Sequence, residues 1–475
     1  MALGKRRSEQ QSEFWVPTDK LGNGPRNVFY DRLNQLLTEM EFDRKLEAAA
    51  EPYYETTGRK GLPPGVYFRM IFIGYFEDLS SQRGIAWRCD DSKSLARFLG
   101  YAPGEATPDH STLSLTRGRL PMEIHRFAFE LVLKAAQDHG LLKGKTEGVD
   151  ATDLEANASM KSIVRRDSGD DWREYLRKLY EEETGESDPD DEELRRFDKR
   201  RKNKKVSNEE WVSETDPDAR IGKMKDGRTH LKYKAENAVD LDTEIIVAAE
   251  VYHGDYGDTT TIEDTVNTAQ AHLNEAETDC EIEEVVADKG YHSEDSLDRL
   301  QNESRQRTYI PEPARKTNRT WKNKPPHREA AYRRNRRNTT GARGRRLQRL
   351  RSERIERTFA HLCDTGGARR TWLRGLEKVQ KRYQSAAMAF NLGRIMRSLM
   401  GAGKPRHFAA LAERLCFNYF VTSWRNKVSP SLASRTRMMN DKIFNPAQFL
   451  AARNVSITLR QPPVEFSVAL LLLVA

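Results

Sequence analysis

The sequence predicts an α/β protein in which a helical N-terminal region precedes a mixed-sheet core carrying an insertion. Three observations lead there. Apolar residues recur at helical spacing through much of residues 28–139. Short β-rich runs near 148–157, 229–251, 282–287 and 307–311 then alternate with helical stretches. Between the first two of these runs lies a charge-dense segment too polar to form core. A chain of 475 residues, 37% of them hydrophobic, has material for two or three domains with sizeable cores.

In chain order, Val28–Ala50 and Val66–Leu79 carry the first helical patterns, the latter through Phe68, Ile71, Phe72, Tyr75, Phe76 and Leu79. Ser92–Gly100, Asp109–Leu120 and Met122–His139 read as further helices, with Pro108 before Asp109, a usable N-cap. Arg83, Arg88, Arg97, Arg117 and Arg119, set between apolar positions, suit either a DNA-binding helical module or the solvated basic face of an ordinary bundle. Gly148–Asn157 is the first strand and contains Asp150. Residues 161–225 read as an excursion, partly helical near Trp172–Tyr180. Nine of the 13 residues in Glu181–Glu193 are acidic, and the basic run Lys199–Lys205 follows.

Alternation at Thr229–Val239, the turn Asp240–Thr243 and the run Glu244–Val251 predict an antiparallel hairpin. Asp258–Glu275 is a helix, Ile282–Ala287 a strand ending at Asp288, Glu294–Ser304 a helix and Arg307–Pro311 another strand. From Pro311 to Leu350 there are 14 Lys+Arg and two acidic residues, a density that repels itself unless an anion is near. Arg345–Leu362 and Gln380–Met400 regain helical periodicity. The resulting division is a helical region 1–145, a catalytic region 146–400 with excursion 161–225 and basic tract 311–350, and a C-terminal extension 401–475.

Eighty Lys+Arg against 72 Asp+Glu give a net charge of +8, which favours anionic partners without choosing among them. Met1–Glu13 lacks a signal-like apolar stretch, and the apolar run Val468–Ala475 is far shorter than the ~20 residues of a membrane span. It reads as a terminal strand or ragged end. Cys89, Cys280, Cys363 and Cys416 form no CxxC pair, so a disulfide scaffold or four-thiolate zinc site is not expected and a reduced, cytosolic setting is.

Three carboxylates stand out. Asp150 follows Val149 in the first strand, and Asp288 closes Val285-Val286-Ala287 at a strand's C-terminal end, where α/β folds assemble ligands. Glu356 lies beside Ile355 on the helix after the arginine tract. Three carboxylates brought together resist joint ionisation unless cations offset them. Divalent ions do so and also activate oxygen nucleophiles; magnesium suits hard oxygen ligands. Without such convergence, Asp150 is a turn residue, Asp288 a helix cap and Glu356 a surface ion-pair member.

At these residues the chain resembles the DDE transposases of bacterial insertion sequences, specifically the IS1182-like branch of the wider IS4/IS5-type superfamily. The likeness runs through Phe68–Leu79, Arg83–Cys89 and Thr107–Leu113, then Val149-Asp-Ala-Thr152 with Glu155-Ala-Asn-Ala158. It continues in Thr215–Arg220, Lys225–Thr229, Ala287-Asp-Lys-Gly-Tyr291, Ile355-Glu-Arg-Thr-Phe359 and Leu373-Arg-Gly375. The resemblance implies an RNase H-like core, with Asp150, Asp288 and Glu356 as catalytic metal ligands for Mg²⁺, Mn²⁺ substituting. It implies cleavage and joining of DNA at transposon ends and target sites by a homo-oligomer, in the cytoplasm and nucleoid of a prokaryote, without a membrane. The broader pattern often has a basic residue seven positions after the glutamate, where Cys363 stands here.

Other residues compete with these or serve beside them. Glu353 is the near competitor of Glu356. Asp240, Asp242, Asp255 and Asp258 read better as turn and cap residues than as ligands. Arg333, Arg334, Arg336, Arg337, Arg345, Arg346, Arg370 and Arg374 are the expected DNA-binding residues. His110, His292 and His361 read as polar or DNA-facing, and Trp87 and Trp372 as base-stacking or core residues. No phosphate-binding Walker loop occurs, so ATP is not expected. The rival functions are a DNA-binding regulator derived from a transposase and a stand-alone RNase H-like nuclease.

Overall fold

The computed structural model describes Gly4 and residues 27–407, apart from 103–104, 188, 203–206 and 315–318. Cys416 and the apolar run 468–475 lie outside the described residues.

The N-terminal part is helical: α1 (Val28–Glu39), α2 (Phe42–Ala50), α3 (Pro64–Phe76), α4 (Gln82–Asp91), α5 (Lys93–Leu99), α6 (His110–Arg119) and α7 (Met122–Asp138). The periodic stretch 28–50 divides in two because Glu41 takes a left-handed φ of 55°, which an uninterrupted right-handed helix does not accommodate. α3 is buried on almost every side. Its central Arg69 is fully buried, with Asp43 at 2.8 Å and the Phe98 ring 4.9 Å away. Asp109 caps α6 as expected, its Oδ1 accepting the Ser111 N–H at 2.6 Å.

After the helical part come β1 (Thr146–Glu155), β2 (Ile163–Arg165), α8 (Trp172–Thr184), α9 (Asp191–Arg200), β3 (Trp211–Ser213), β4 (Arg220–Lys223), β5 (Thr229–Asp240) and β6 (Ile246–His253). They are followed by α10 (Asp258–Glu275), β7 (Glu284–Ala287), α11 (Glu294–Asp298), β8 (Arg307–Tyr309), α12 (Pro326–Thr340), α13 (Ala342–Phe359) and α14 (Leu376–Met400). Six strands make one mixed sheet. β1 pairs antiparallel with β5 and parallel with β7, and β8 continues the parallel side. The far edge of β5 is shared, β4 taking its first residues and β6 the rest. A central strand antiparallel on one side and parallel on the other, with helices packed on the sheet, is the RNase H-like arrangement the sequence predicts.

The excursion is more ordered than its composition suggests. β2 and β3 form a small ribbon, and α8 and α9 each start with a complete capping box, Asp171 with Glu174 and Asp190 with Glu193. Asp191, Glu192 and Glu193 sit in the first turn of α9, Lys199 and Arg200 in its last. The acidic-to-basic charge order therefore complements a helix dipole. The arginine tract likewise folds into two helices, α12 and the first half of α13, joined at Gly341.

Side-chain amides close the edges of the sheet. Asn391 of α14 accepts from Ile246 N–H at 2.9 Å and donates to Ile246 C=O at 2.8 Å, while Gln380 does the same for Val251 and Ala249. Asn335 of α12 pairs with both backbone groups of Ile310, and Asn208 with both of Ile221. Each amide imitates one residue of a neighbouring strand, so edge polar groups are satisfied although buried. Asn391→Leu would leave two buried backbone groups unpaired and is expected to lower unfolding free energy by roughly 2 kcal/mol or more in urea denaturation.

Candidate active site

The register of β1 on β7 sets the geometry. Val149 lies opposite Ala287, so Asp150 and Asp288, the next residue on each strand, are brought side by side. Asp150 is partly buried at the middle of the sheet. Its Oδ1 accepts the Ala151 N–H at 2.9 Å, and its Oδ2 accepts from Arg351 Nη1 at 2.6 Å. Burial pushes its carboxyl above the usual aspartate range and the charge of Asp288 adds to that, while Arg351 and the Ala151 N–H oppose it.

Asp288 caps a single 3₁₀ turn, Lys289–Tyr291, by accepting the Lys289 N–H. That turn is fastened from below. Tyr291 donates its hydroxyl to Glu236 at 2.9 Å, and Glu236 also accepts from Thr261 and Thr265 of α10 at 2.7 and 2.6 Å. Lys234 lies between Glu236 at 3.0 Å and Asp258 at 2.8 Å. Glu236 is fully buried, with each oxygen occupied and a cation beside it, the condition under which a buried carboxylate is tolerated. Gly290 allows the fit, since a Cβ there would lie 2.7 Å from an Asp258 carboxylate oxygen.

α13 crosses the opposite face. Gln348 donates to the carbonyls of Ala287 and Tyr309 at 3.2 and 2.6 Å, Arg351 reaches Asp150, and Ile355 rests on Gly148. A Cβ on Gly148 would stand 2.8 Å from the Ile355 methyl and 2.6 Å from Leu241, so glycine is what lets the helix lie so close. The helix ends beyond the β5–β6 turn, where Glu244 pairs with Arg357 at 2.5 Å and Arg394 at 3.1 Å.

Glu356, next to Ile355, is exposed, and its Oε1 accepts from Ser352 at 3.2 Å. Glu353 is exposed as well and pairs with Arg357 at 2.6 Å. Among the described residues, no three His, Cys, Asp or Glu side chains gather closely enough to hold a metal ion. The structure thus brings Asp150 and Asp288 together and leaves Glu356 on the overlying helix, outside that pair. The cation touching Asp150 is Arg351, which the sequence reading did not single out. Its spacing of four from Ile355 was the available signal, because it puts both on the sheet-facing side of one helix.

All eight arginines expected to bind DNA are exposed. Arg333 pairs with Glu329, Arg334 donates to Gln301 and Asn302, Arg345 to the Thr340 carbonyl and Arg374 to the Asn157 carbonyl. Arg370 lies 3.7 Å from Glu155. Arg336, Arg337 and Arg346 have no ion-pair partner among the described residues. Trp372 is held between Arg117 and Arg382, at 5.2 and 5.1 Å from its ring, whereas Trp87 is 67% exposed on α4. Cys363 is buried, and burial pushes its thiol up to about 11. No described helix is long and apolar enough to cross a membrane.

A mixed sheet with acidic residues on adjacent central strands and arginine-rich helices alongside defines a class of nucleic-acid phosphoryl-transfer proteins. Residues 20–119 match the family described as a transposase domain (DUF772), and residues 199–392 match the family described as a transposase DDE domain. The chain belongs to the DDE-type transposases, consistent with the IS1182-like branch, and its activity is cleavage and joining of DNA. Metal-dependent chemistry follows from that family in general terms. Asp288 and Glu356 fall within the second matched span, while β1 with Asp150 lies between the two. No curated protein and no solved structure matches the chain.

The network under Asp288 can be probed directly. Tyr291→Phe removes one hydrogen bond to a buried carboxylate and is expected to cost roughly 1.5–3 kcal/mol in urea unfolding. Glu236→Leu, which leaves Lys234 with only Asp258 as a carboxylate partner, is expected to cost more.

Proposed function

We propose that Asp150, Asp288 and Glu356 are the catalytic carboxylates and that they act on the ends of an insertion sequence and on its target DNA. The observation that carries this reading is the pairing of β1 with β7, which sets Asp150 beside Asp288 at the centre of the sheet. Two like charges so placed suit cation binding, and their oxygens are the hard donors that Mg²⁺ takes, with Mn²⁺ as substitute. The Arg351 contact fits the same logic, because a guanidinium already balances Asp150. When bound, a pair of divalent ions would polarise the scissile phosphate and lower the pKa of an attacking hydroxyl. The chain's own contribution is to fix the two aspartates on rigid strands, to bring Glu356 in from α13 with DNA, and to hold the attacking and leaving oxygens in line.

In this reading the helical region 1–145 recognises the element's ends or assembles the complex. Region 146–400 performs catalysis, with the excursion 161–225 and the tract 311–350 as its flanking parts; 401–475 is an extension. The exposed arginines of α12 and α13, with Arg370 and Arg374, track the phosphate backbone. The protein works as a homo-oligomer on DNA, at the nucleoid in a prokaryotic cytoplasm.

The test is divalent-metal-dependent cleavage and strand joining of terminal DNA by the wild type and by Asp150→Asn, Asp288→Asn, Glu356→Gln and Glu353→Gln. The first three are expected to lose at least about two orders of magnitude in rate, on the scale of removing a group that stabilises the transition state, and the last to stay close to wild type. Full activity in folded Glu356→Gln with loss in Glu353→Gln would transfer the role to Glu353. DNA binding without cleavage would mark a regulator, and cleavage without joined products a nuclease.

A further inference from the structure

Away from the aspartate pair, the C-terminal end of α13 faces a small cavity lined by Arg357, His361, Arg394, Arg397, Lys404 and His407. The fold builds it with care. Gly393 of α14 and Gly403 lie against each other, and a Cβ on either would stand 2.9 or 2.7 Å from the other's carbonyl oxygen. This close approach lays the segment after α14 back along the helix and brings Lys404 and His407 to the same opening.

The charges there do not balance. Glu244 takes Arg357 at 2.5 Å, Arg394 at 3.1 Å and Arg354 at 4.0 Å. Asp78 takes Lys404 and Arg406, each at 2.6 Å, and the exposed Glu353 shares Arg357. Six permanent cations thus meet three carboxylates, and Arg397 has no ion-pair partner among the described residues. The two histidines register the resulting field. Burial, with Lys404, Arg397 and their neighbours, holds both imidazoles below their usual range. Glu244 keeps its place at a left-handed φ of 66°, a conformation a glutamate adopts only under constraint. A solvated basic face would spread its charges; here Arg357, Arg394, Arg397 and Lys404 line one opening, with Glu244 the one carboxylate among the described lining residues.

We infer that this cavity is a phosphate site that grips the backbone of bound DNA, with Arg397, Arg394 and His361 as its donors. The inference rests on DNA as the substrate and adds a contact outside the arginine tract. Its position fits: Arg357 follows Glu356 directly and lies six residues from Arg351, about 9 Å along the helix axis. A phosphate held there would fall a nucleotide or two from the strand facing Asp150, and would fix the DNA against the helix that carries Glu356.

The experiment measures binding of a fluorescein-labelled transposon-end duplex to the full chain in EDTA across a salt series, so that cleavage does not intervene. Arg397 is exposed and has no ion-pair partner among the described residues, so Arg397→Ala is expected to fold normally. It is expected to weaken binding about tenfold and to lower the salt slope by about one. Arg397→Lys is expected to recover most of the affinity, and Arg196→Ala on α9 to bind like wild type. Equal affinity and slope for Arg397→Ala would overturn the site, as would an equal loss in Arg196→Ala, which would make the effect one of net charge alone. If the wild type itself binds no DNA, the failure lies in the DNA-end reading of the whole chain.

Discussion

The arrangement depends on one register, the parallel pairing of the four-residue β7 with the first four residues of the ten-residue β1. Because Val149 meets Ala287, the residues that follow them are neighbours, and both are aspartates. A slip of one residue would turn one carboxylate to the opposite face. The register is held from both faces. On one, Tyr291 ties the turn after Asp288 to the buried Glu236 and so to α10. On the other, Gln348 and Arg351 of α13 reach Ala287 and Asp150; they lie seven and four residues before the Ile355 that seats on Gly148, so all three share the sheet-facing side of the helix.

The sheet's edges show how the rest of the chain supports that centre. An RNase H-like sheet is open, and open edges attract other strands. Here α14 and α12 bring Gln380, Asn391 and Asn335 to the edges as hydrogen-bonding surrogates, and Asn208 does the same at β4. These helices therefore terminate the sheet as well as packing on it. The arginine-rich segment acquires order in the same way: Asn335, Leu347 and Gln348 anchor its inner side, and the arginines project outward from helices fixed in place.

Much of this was legible in the sequence. Period-two alternation gave the β5–β6 hairpin, helical spacing gave α10 with its bounds unchanged, and Asp109 announced its cap. Asp150 and Asp288 could be picked out because each directly follows an apolar strand residue. What escaped was set by contacts distant along the chain or by backbone conformation. Glu41 breaks a helix that its apolar pattern would continue. The acidic run reads as peripheral by composition, yet its charge order belongs to α9. Arg351 gives no compositional sign of touching Asp150, since it is one arginine among many, and the amide caps on the edge strands have no local signature at all. Ile355 and Phe359 mark the buried face of α13, but they do not fix where the neighbouring Glu356 points; its exposed side chain is directed by which turn of α13 sits over Gly148, a matter of packing.

The central claim is that Asp150 and Asp288 share divalent ions and that Glu356 joins them when DNA is bound. Anomalous scattering from Mn²⁺ in crystals of the protein with transposon-end DNA tests it most directly. The account predicts manganese peaks within bonding distance of both aspartates, with Arg351 withdrawn from Asp150 and a Glu356 oxygen turned inward. Manganese bound elsewhere, or an Asp150 still paired with Arg351 in the DNA complex, would contradict it.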